Sequence, residues 1–215
     1  MQQSSDTPQG FAFLFAEKLC FSDNRQKLDS GSAARMFQVS RDNPAYYLTS
    51  VTHQRLPIFQ SDRLKQIVCN AFDEARRSGQ IKIFAFVIMP DHTHVVTDSK
   101  REIADTLRYL NGISAKRLID YLKQGGFVSS LQKLRIQNRA DNHKYSVYQH
   151  HSNALRITGE TAFWQKIQYI HQNPVRAGFV DHPNDYRFSS ARQWHERSSS
   201  DEPLPVDRQF IKWRD

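Results

Sequence analysis

The pattern of apolar and polar positions in the first half of the chain predicts a strand, a helix and two further strands. Residues 46–52 are dense in aromatic and β-branched side chains, which favour a strand. After Ser61, whose hydroxyl suits a helix N-cap, apolar side chains recur at helical spacing over 62–79. A nearly continuous apolar run over 81–89 predicts a buried strand, and the short connection that follows predicts an antiparallel partner at 92–97.

The second half of the chain predicts two long helices and one more strand. An amphipathic helix begins after Ser99 and is stopped by a glycine pair, whereas residues 127–144 are basic and weakly periodic and are expected to form a loop or a short excursion. Alternation over 145–150 predicts the last strand. A final helix over 159–173 is expected to end there, because Pro174 lacks an N–H and disfavours a helical conformation in the preceding residue.

This order of elements is typical of an α+β fold, a ferredoxin-like antiparallel sheet with helices packed on one face. The 215 residues correspond to one domain with extensions. We expect the domain at 39–195, a loosely attached and partly flexible N-terminal extension over 1–38, and a flexible C-terminal tail over 196–215.

Composition narrows the class of protein. The chain has 30 Lys and Arg against 22 Asp and Glu, a net charge of +8 that favours a polyanionic partner, most often nucleic acid. No stretch approaches the ~20 consecutive apolar residues of a membrane helix, and no secretory signal is apparent, so a cytoplasmic protein without a membrane segment is expected. Cys20 and Cys69 are too far apart for a CxxC motif, and we expect both to be reduced, buried side chains.

The pair His92 and His94 is the first candidate for chemistry. Alternate residues of a strand point to the same face, so the two imidazoles would project side by side with Cα atoms roughly 7 Å apart. Two converging neutral imidazoles can share a divalent cation, and Asp91 could orient one of the rings. The alternative is a pair of surface or hydrogen-bonded histidines that bind no metal.

A tyrosine on the predicted last helix is the second candidate. Tyr169 lies away from the apolar stripe formed by Phe163, Ile167 and Ile170. Asn173 follows one turn later on nearly the same face. The alternative is an amphipathic helix with a tyrosine at its solvent edge. Because a phenol is mostly protonated at neutral pH, a nucleophilic tyrosine would need a metal-polarised electrophile, so the two candidate features depend on each other.

Three segments in this order resemble the signature segments of the REP-associated tyrosine transposases, which belong to the single-tyrosine His-hydrophobic-His transposases of insertion sequences. The segments are VIMPDHTHVV at 87–96, YIHQNPVRAGFV at 169–180 and DYRFSSA at 185–191. The resemblance spans residues 44–194. Thr93 departs from the usual hydrophobic residue between the histidines, but it points to the opposite face and should affect metal binding little.

The resemblance implies a ferredoxin-like sheet with an added helix that carries the catalytic tyrosine. It implies that His92, His94 and Asn173 bind Mg²⁺ or Mn²⁺ and that Tyr169 cuts single-stranded DNA. The product would be a 5′-phosphotyrosine with a free 3′-OH, which keeps the bond energy for rejoining. The expected protein is a metal-dependent endonuclease and strand transferase, a transposase acting at hairpins formed by palindromic repeats, as a monomer or a homodimer.

Positive side chains on the predicted helices are candidates for holding the DNA backbone. These candidates are Arg108, Lys116, Arg117, Lys123 and Arg176. Their alternative role is a solvated helix face or, for Arg176, capping of helix carbonyls. Two other functions stay open: a catalytically silent ferredoxin-like DNA- or RNA-binding module that uses strand aromatics such as Tyr46, Tyr47 and Phe86, and a metal hydrolase that uses the histidine pair without covalent catalysis.

Overall fold

In the part of the chain that the structure describes, four strands pair in one antiparallel sheet: β1 (Ala45–Val51), β2 (Ile83–Ile88), β3 (His92–Thr97) and β4 (Asn153–Ile157). Their order across the sheet is β2-β3-β1-β4, and each neighbouring pair runs antiparallel. The structure, a computed structural model, describes residues 36–136, 144–150 and 152–212. The first three strands lie within one or two residues of the bounds predicted from the sequence.

Within the described residues, five helices accompany the sheet: α1 (Asp62–Gly79), α2 (Ile103–Gln124), α3 (Val128–Lys133), α4 (Glu160–Arg176) and the short α5 (Ala191–Trp194). Single 3-10 turns lie at His53–Arg55, Pro183–Asp185 and Arg208–Phe210. Helix α1 begins as predicted, because the Ser61 hydroxyl accepts a hydrogen bond from the Leu64 N–H at 3.3 Å and satisfies one of the free amides of the first turn. None of the described helices is long and apolar enough to cross a membrane.

The long helices α1 and α2 pack against each other on one face of the sheet. Asn111 of α2 donates a hydrogen bond to the Ser152 hydroxyl, and this hydroxyl contacts that of Ser50 on β1 at 3.4 Å. Leu48 and Val95 point to the same face as Ser50, since strand side chains alternate, and both are buried in the core.

Helix α4 lies on the opposite face of the sheet. It contacts β2 and β3, and the ring of Tyr169 reaches the rings of His94 and Tyr47, which point away from the Leu48 face. The predicted α+β fold, a four-stranded antiparallel sheet with helices on one face and a separate helix carrying the tyrosine, is confirmed.

The fourth strand is not where the alternating pattern placed it. Residues 145–150 form only isolated bridges, such as Thr52 with Tyr148, and the strand that pairs with β1 is Asn153–Ile157. The prediction was wrong because β4 is exposed except for its last residue and so has no apolar period. The side chains of Val147 and Tyr148, which produced the alternating pattern, are buried in the core beside the sheet.

The end predicted for the last helix is also wrong, because α4 continues through Pro174 to Arg176. A proline in the final turn removes only one amide donor, the one that would bond the Ile170 carbonyl, and its fixed φ is compatible with a helix. Gly178, two residues beyond the helix end, has a left-handed φ of 72° and reverses the chain, while the Phe179 N–H donates to the Pro174 carbonyl at 3.0 Å.

Part of the C-terminal tail that was expected to be flexible is packed on the sheet. The Asp207 N–H donates to the Ile83 carbonyl at 2.7 Å, and the Asp207 carboxylate accepts from the Ile83 N–H at 2.9 Å. Apolar side chains of this segment are buried: Leu204, Val206 and Ile211. An edge strand leaves unpaired backbone groups, and the tail satisfies those at the start of β2.

Several expectations fall on residues outside the described ranges. The N-terminal extension up to residue 35, Cys20 and residues 137–143 of the basic stretch lie there. The beginning of that stretch forms the short helix α3, which agrees with the expected short excursion. Cys69, as expected, is fully buried.

Candidate active site

The two histidines of β3 lie side by side on the face of the sheet that carries α4. The ring centroids of His92 and His94 are 4.8 Å apart, with ring planes at 67°. The strand period therefore places both imidazoles in one site, as predicted.

Asp91 orients the first of these rings. Its Oδ1 lies 2.6 Å from Nδ1 of His92, and its Oδ2 accepts a hydrogen bond from the Arg55 guanidinium at 3.1 Å. Burial acts to raise the pKa of the Asp91 carboxyl, but the hydrogen bond and charge of His92 and those of Arg55 lower it. An ionised carboxylate only accepts hydrogen bonds, so Nδ1 of His92 carries the proton and the lone pair of Nε2 is left for a ligand.

Two hydroxyls hold the second ring. The Tyr47 Oη and the Thr49 Oγ1 each lie 2.9 Å from Nδ1 of His94, and the Tyr47 ring stacks on the imidazole at 5.3 Å. Burial, with smaller contributions from nearby positive charges, lowers the pKa of His94 to about 3. The ring is therefore neutral at physiological pH, and with Nδ1 turned to the hydroxyls its Nε2 is the nitrogen available to a metal.

Helix α4 brings Tyr169 to this pair. Its ring centroid lies 5.6 Å from that of His94 and 6.1 Å from that of Tyr47, both in edge-to-face contact. Tyr169 is 40% exposed, so it is not a core residue and can be reached by a large substrate. Asn173 follows one turn later, half-buried, and its carboxamide makes no hydrogen bond to another described residue.

The two imidazole nitrogens of the histidine pair do not form a complete site for a divalent cation, which needs further oxygen ligands from an amide, the substrate or water. No group of three His, Cys, Asp or Glu side chains in the described part of the chain is placed to hold a metal ion. His92 and His94 supply two imidazole nitrogens, and Asn173 is the nearby side chain on α4 that could add an oxygen. In Mg²⁺ and Mn²⁺ sites, oxygen atoms of the substrate and of water commonly fill the coordination positions that the protein leaves open.

Two cations of α4 surround the tyrosine. The Arg176 guanidinium carbon lies 4.3 Å from the centre of the Tyr169 ring, and the same group donates to the Tyr169 carbonyl at 2.8 Å. The Lys166 ammonium lies 5.8 Å from the Tyr169 ring and 4.9 Å from the Tyr47 ring. Arg176, a predicted DNA contact, therefore lies at the site and also bonds a helix carbonyl.

The other predicted DNA contacts lie elsewhere. All four are on α2, which covers the opposite face of the sheet from Tyr169, and each has a partner. Arg117 pairs with Glu74 through two nitrogens, Lys116 pairs with Asp120, Arg108 pairs with Asp105, and Lys123 lies 5.5 Å from the ring of Tyr145. Their role in binding DNA stays a prediction.

Thr49 was not considered from the sequence, Tyr47 was named only as a stacking aromatic of the binding-module alternative, and Lys166 was not among the predicted site residues. The contact of Thr49 with His94 follows from the register of β1 against β3, which pairs these two residues directly. The apolar pattern predicts both strands but leaves this register open. Lys166 had a usable signal, because it precedes Tyr169 by three residues on a helix and shares its face.

Residues 40–126 match the family model described as transposase, IS200-like. Among solved structures, the fold is similar to that of a REP-associated tyrosine transposase bound to a REP hairpin, with a TM-score of 0.52 and 16% identity over 87% of this chain and 93% of that one. A candidate transposase from Deinococcus radiodurans R1 is 19% identical over 67% of this chain and 97% of its own, with a TM-score of 0.38. No curated protein matches the sequence.

The family match covers β1 through α2 and includes the histidine pair, but it ends before the helix that carries Tyr169. The solved REP-associated transposase shares the fold over most of the chain. The match of residues 40–126 to the IS200-like transposase model agrees with the family and the enzyme class expected from the sequence, and the solved structure confirms the fold.

Proposed function

We propose that this transposase cuts single-stranded DNA by attack of Tyr169 on a phosphodiester and rejoins strands from the resulting covalent intermediate. One observation carries the proposal: an exposed tyrosine, 5.6 Å from the ring of His94, lies beside two imidazoles whose Nδ1 atoms are already engaged. A nucleophile next to a pair of oriented nitrogen ligands is the arrangement that metal-assisted phosphoryl transfer requires.

The step is a single in-line exchange. The Tyr169 Oη–P bond forms while the bond from phosphorus to the 3′ oxygen breaks, so the number of P–O bonds is unchanged. The phenol releases its proton and the 3′ oxygen takes one up through water. The products are a 5′-phosphotyrosine and a free 3′-OH. Attack of a 3′-OH on the phosphotyrosine reverses the exchange and needs no nucleotide cofactor.

The residues around the pair prepare it for a metal. His92, His94 and Asn173 would hold Mg²⁺ or Mn²⁺, which when bound supplies Lewis acidity at the scissile phosphate. Asp91 keeps Nε2 of His92 free, and we infer that Tyr47 and Thr49 do the same for His94. Burial raises the pKa of Tyr47 to about 12, so this phenol stays protonated and acts as a hydrogen-bonding group.

We propose single-stranded DNA hairpins of palindromic repeats as the substrate. The net charge of +8 favours a polyanion, and the similar solved structure is that of a transposase bound to a REP hairpin. The alternative of a silent binding module has less support, because two of its proposed stacking residues are buried: Tyr46 is 8% exposed and Phe86 is fully covered. Stacking on bases requires an open ring face.

The proposal is tested by incubating the protein with a hairpin oligonucleotide and Mg²⁺ or Mn²⁺ and running a denaturing gel. A label at the 3′ end should move with the protein, whereas a label at the 5′ end should appear in a short free strand, because the tyrosine keeps the 5′ phosphate. Tyr169→Phe should lose the adduct and keep DNA binding. Tyr121→Phe, on α2 at the opposite face, is the matched control and should form the adduct normally.

Two results would overturn the mechanism. Full cleavage by Tyr169→Phe excludes the tyrosine as nucleophile. Undiminished cleavage by the wild-type protein in excess chelator excludes the metal. Cleavage without an adduct, together with loss of cleavage in His92→Ala, would instead favour a metal hydrolase.

A further inference from the structure

One face of α4 carries four polar side chains in register. Lys166, Tyr169, Asn173 and Arg176 follow each other at intervals of three, four and three residues, which places them along a single helix stripe. Helix α4 turns this stripe toward the sheet face that bears the histidines, because Tyr169 in its middle touches His94. The stripe thus begins and ends with a cation.

Both cations converge on the same phenol. Arg176 is seven residues beyond Tyr169, but helical side chains lean toward the N-terminus, and its guanidinium returns to lie 4.3 Å from the Tyr169 ring. The Lys166 ammonium approaches the same ring at 5.8 Å and the Tyr47 ring at 4.9 Å.

Within the described ranges of the chain, no carboxylate forms an ion pair with Lys166 or Arg176. Arginines elsewhere behave differently: Arg77 pairs with Asp73 at 2.7 Å, and Arg117 pairs with Glu74. Two like charges gathered around one ring repel each other, and ring faces offset this repulsion only weakly. Such a pair is suited to an anion that binds between them.

We propose that Lys166 and Arg176 are catalytic residues that bind the non-bridging oxygens of the scissile phosphate and stay on that phosphate in the phosphotyrosine. The inference rests on the proposed role of Tyr169. The phosphate must reach the Tyr169 oxygen to react, and the two cations are the positively charged groups placed around that ring. They neutralise charge that grows on the phosphoryl oxygens in the transition state.

The two cations have different tasks. The Arg176 guanidinium can hold two phosphate oxygens in a fixed plane, and its bond to the Tyr169 carbonyl limits its freedom. The Lys166 ammonium is a point charge on a flexible stem that can follow the phosphoryl group as it moves toward the tyrosine. Replacing Lys166 should therefore slow the reaction, and replacing Arg176 should weaken ground-state binding as well.

The first test measures DNA binding without cleavage. Hairpin oligonucleotide affinity is measured by fluorescence anisotropy in chelator at several salt concentrations, for the wild type, Lys166→Gln and Arg176→Gln. Loss of the Arg176 contact should reduce the slope of log affinity against log salt by about 0.7 and weaken binding several-fold, whereas Lys166→Gln should change both less, because the Lys166 contact strengthens as the phosphoryl group moves. The matched controls are Arg77→Gln, whose group is paired on α1, and Lys100→Gln, which bonds Gln80; both should keep the wild-type slope.

The second test measures cleavage with metal present. Lys166→Gln should lower the maximal rate about 100-fold with little change in the DNA concentration needed for half-saturation, and Lys166→Arg should recover part of the rate. If Lys166→Gln melts well below the wild type, Lys166→Met retains the apolar stem and replaces it in both tests.

Wild-type salt slopes and wild-type rates in both Lys166→Gln and Arg176→Gln would overturn the inference. A slope lowered equally by Arg77→Gln would also overturn it, because the effect would then be one of net charge. The failure of the proposed function has a different signature, namely adduct formation by Tyr169→Phe, and the binding test in chelator does not depend on that outcome.

Discussion

The two faces of the sheet are built from alternate residues of the same strands and differ in almost every physical respect. Leu48 and Val95 face α1 and α2 and are buried in the hydrophobic core. Their neighbours Thr49 and His94 face α4 and are hydrogen-bonded to each other beside Tyr169. A strand can therefore present reactive groups on one face while the other face supplies stability, because successive side chains point in opposite directions.

The helices repeat this contrast in their charges. On α2, Arg117 and Lys116 are balanced by carboxylates, as is usual for a solvated helix face. On α4, Lys166 and Arg176 gather around a phenol with no carboxylate paired to them in the described residues. Net charge alone favours a polyanionic partner, whereas the unbalanced cations support the proposed position of its phosphate beside Tyr169.

The largest difference between the faces should come from His94. His94→Gln removes one of the two imidazoles, and we expect cleavage of the hairpin to fall about 100-fold or more because transition-state charge is no longer stabilised. The melting temperature should change less than in the core variant described next. Gel-based cleavage rates and thermal melts on the same preparation measure both. A variant that cuts at the wild-type rate would remove His94 from the site.

A substitution on the opposite face of the sheet should lower the stability of the fold and leave the cleavage rate unchanged. Leu118 on α2 is fully buried, and Leu118→Ala leaves a cavity that should cost about 2–5 kcal/mol of unfolding free energy. For a unit of this size the melting temperature should fall by roughly 5–15 °C. The cleavage rate per folded molecule should stay near that of the wild type well below the melting temperature. A rate loss comparable to that of His94→Gln would show that the two faces are not separable.

Helix α4 also carries a buried histidine, His171, that should make the stability of the fold depend on pH. His171 is buried, with Nε2 2.9 Å from the Ser190 hydroxyl, and burial lowers its pKa to about 3, helped by the charge of His195. The unfolded chain binds this proton below about pH 6.5 and the folded protein does not. Stability should therefore be fully present above pH 6.5 and fall as the pH drops toward 3.

The contribution of His171 to the pH dependence of the unfolding free energy can be measured by comparing the wild type with His171→Gln. Between pH 7 and pH 5 the contribution of His171 is a loss of about 2 kcal/mol. His94, whose pKa is also lowered, adds a loss of the same sign, and Asp98, whose pKa is raised to about 6, acts in the opposite sense. Urea unfolding at the two pH values should show a loss about 2 kcal/mol smaller in His171→Gln. An unchanged pH dependence would contradict the assignment.

The smallest effect should come from the hydroxyls behind His94. Tyr47→Phe removes one oxygen at Nδ1 and should weaken Mn²⁺ binding about 10-fold, because the imidazole is less firmly oriented. Tyr46→Phe is the matched control, since Tyr46 is the adjacent residue and points to the other face. Titration followed by electron paramagnetic resonance measures the free Mn²⁺. Equal affinity in Tyr47→Phe and the wild type would count against the orienting role.

The parts of the molecule that the sequence predicted are those with a strong period. The strands β1 to β3 and the helices α1 and α2 bury a continuous apolar face, so their spacing is visible in the pattern of residues. The two-residue period of a strand predicted that His92 and His94 lie on one face. The helical period of about 3.6 residues predicted that Tyr169 lies outside the apolar stripe. These inferences required only local geometry.

The parts that could not be predicted depend on pairing between distant segments. The exposed strand β4 has no apolar pattern and is defined by its hydrogen bonds to β1. Tyr47 and Thr49 became site residues only once the register of β1 against β3 was known. The C-terminal tail is held through Asp207 at the edge of β2, a contact that no composition rule indicates.

Mapping the covalent adduct tests the central claim most directly. The protein is incubated with the hairpin and Mn²⁺, the DNA is trimmed with nuclease, and the peptides are analysed by mass spectrometry. We expect a 5′-phosphorylated nucleotide on the peptide that contains Tyr169 and on no other tyrosine. A nucleotide on Tyr47, the other phenol in ring contact with Tyr169, or cleavage with no modified tyrosine at all, would contradict the account.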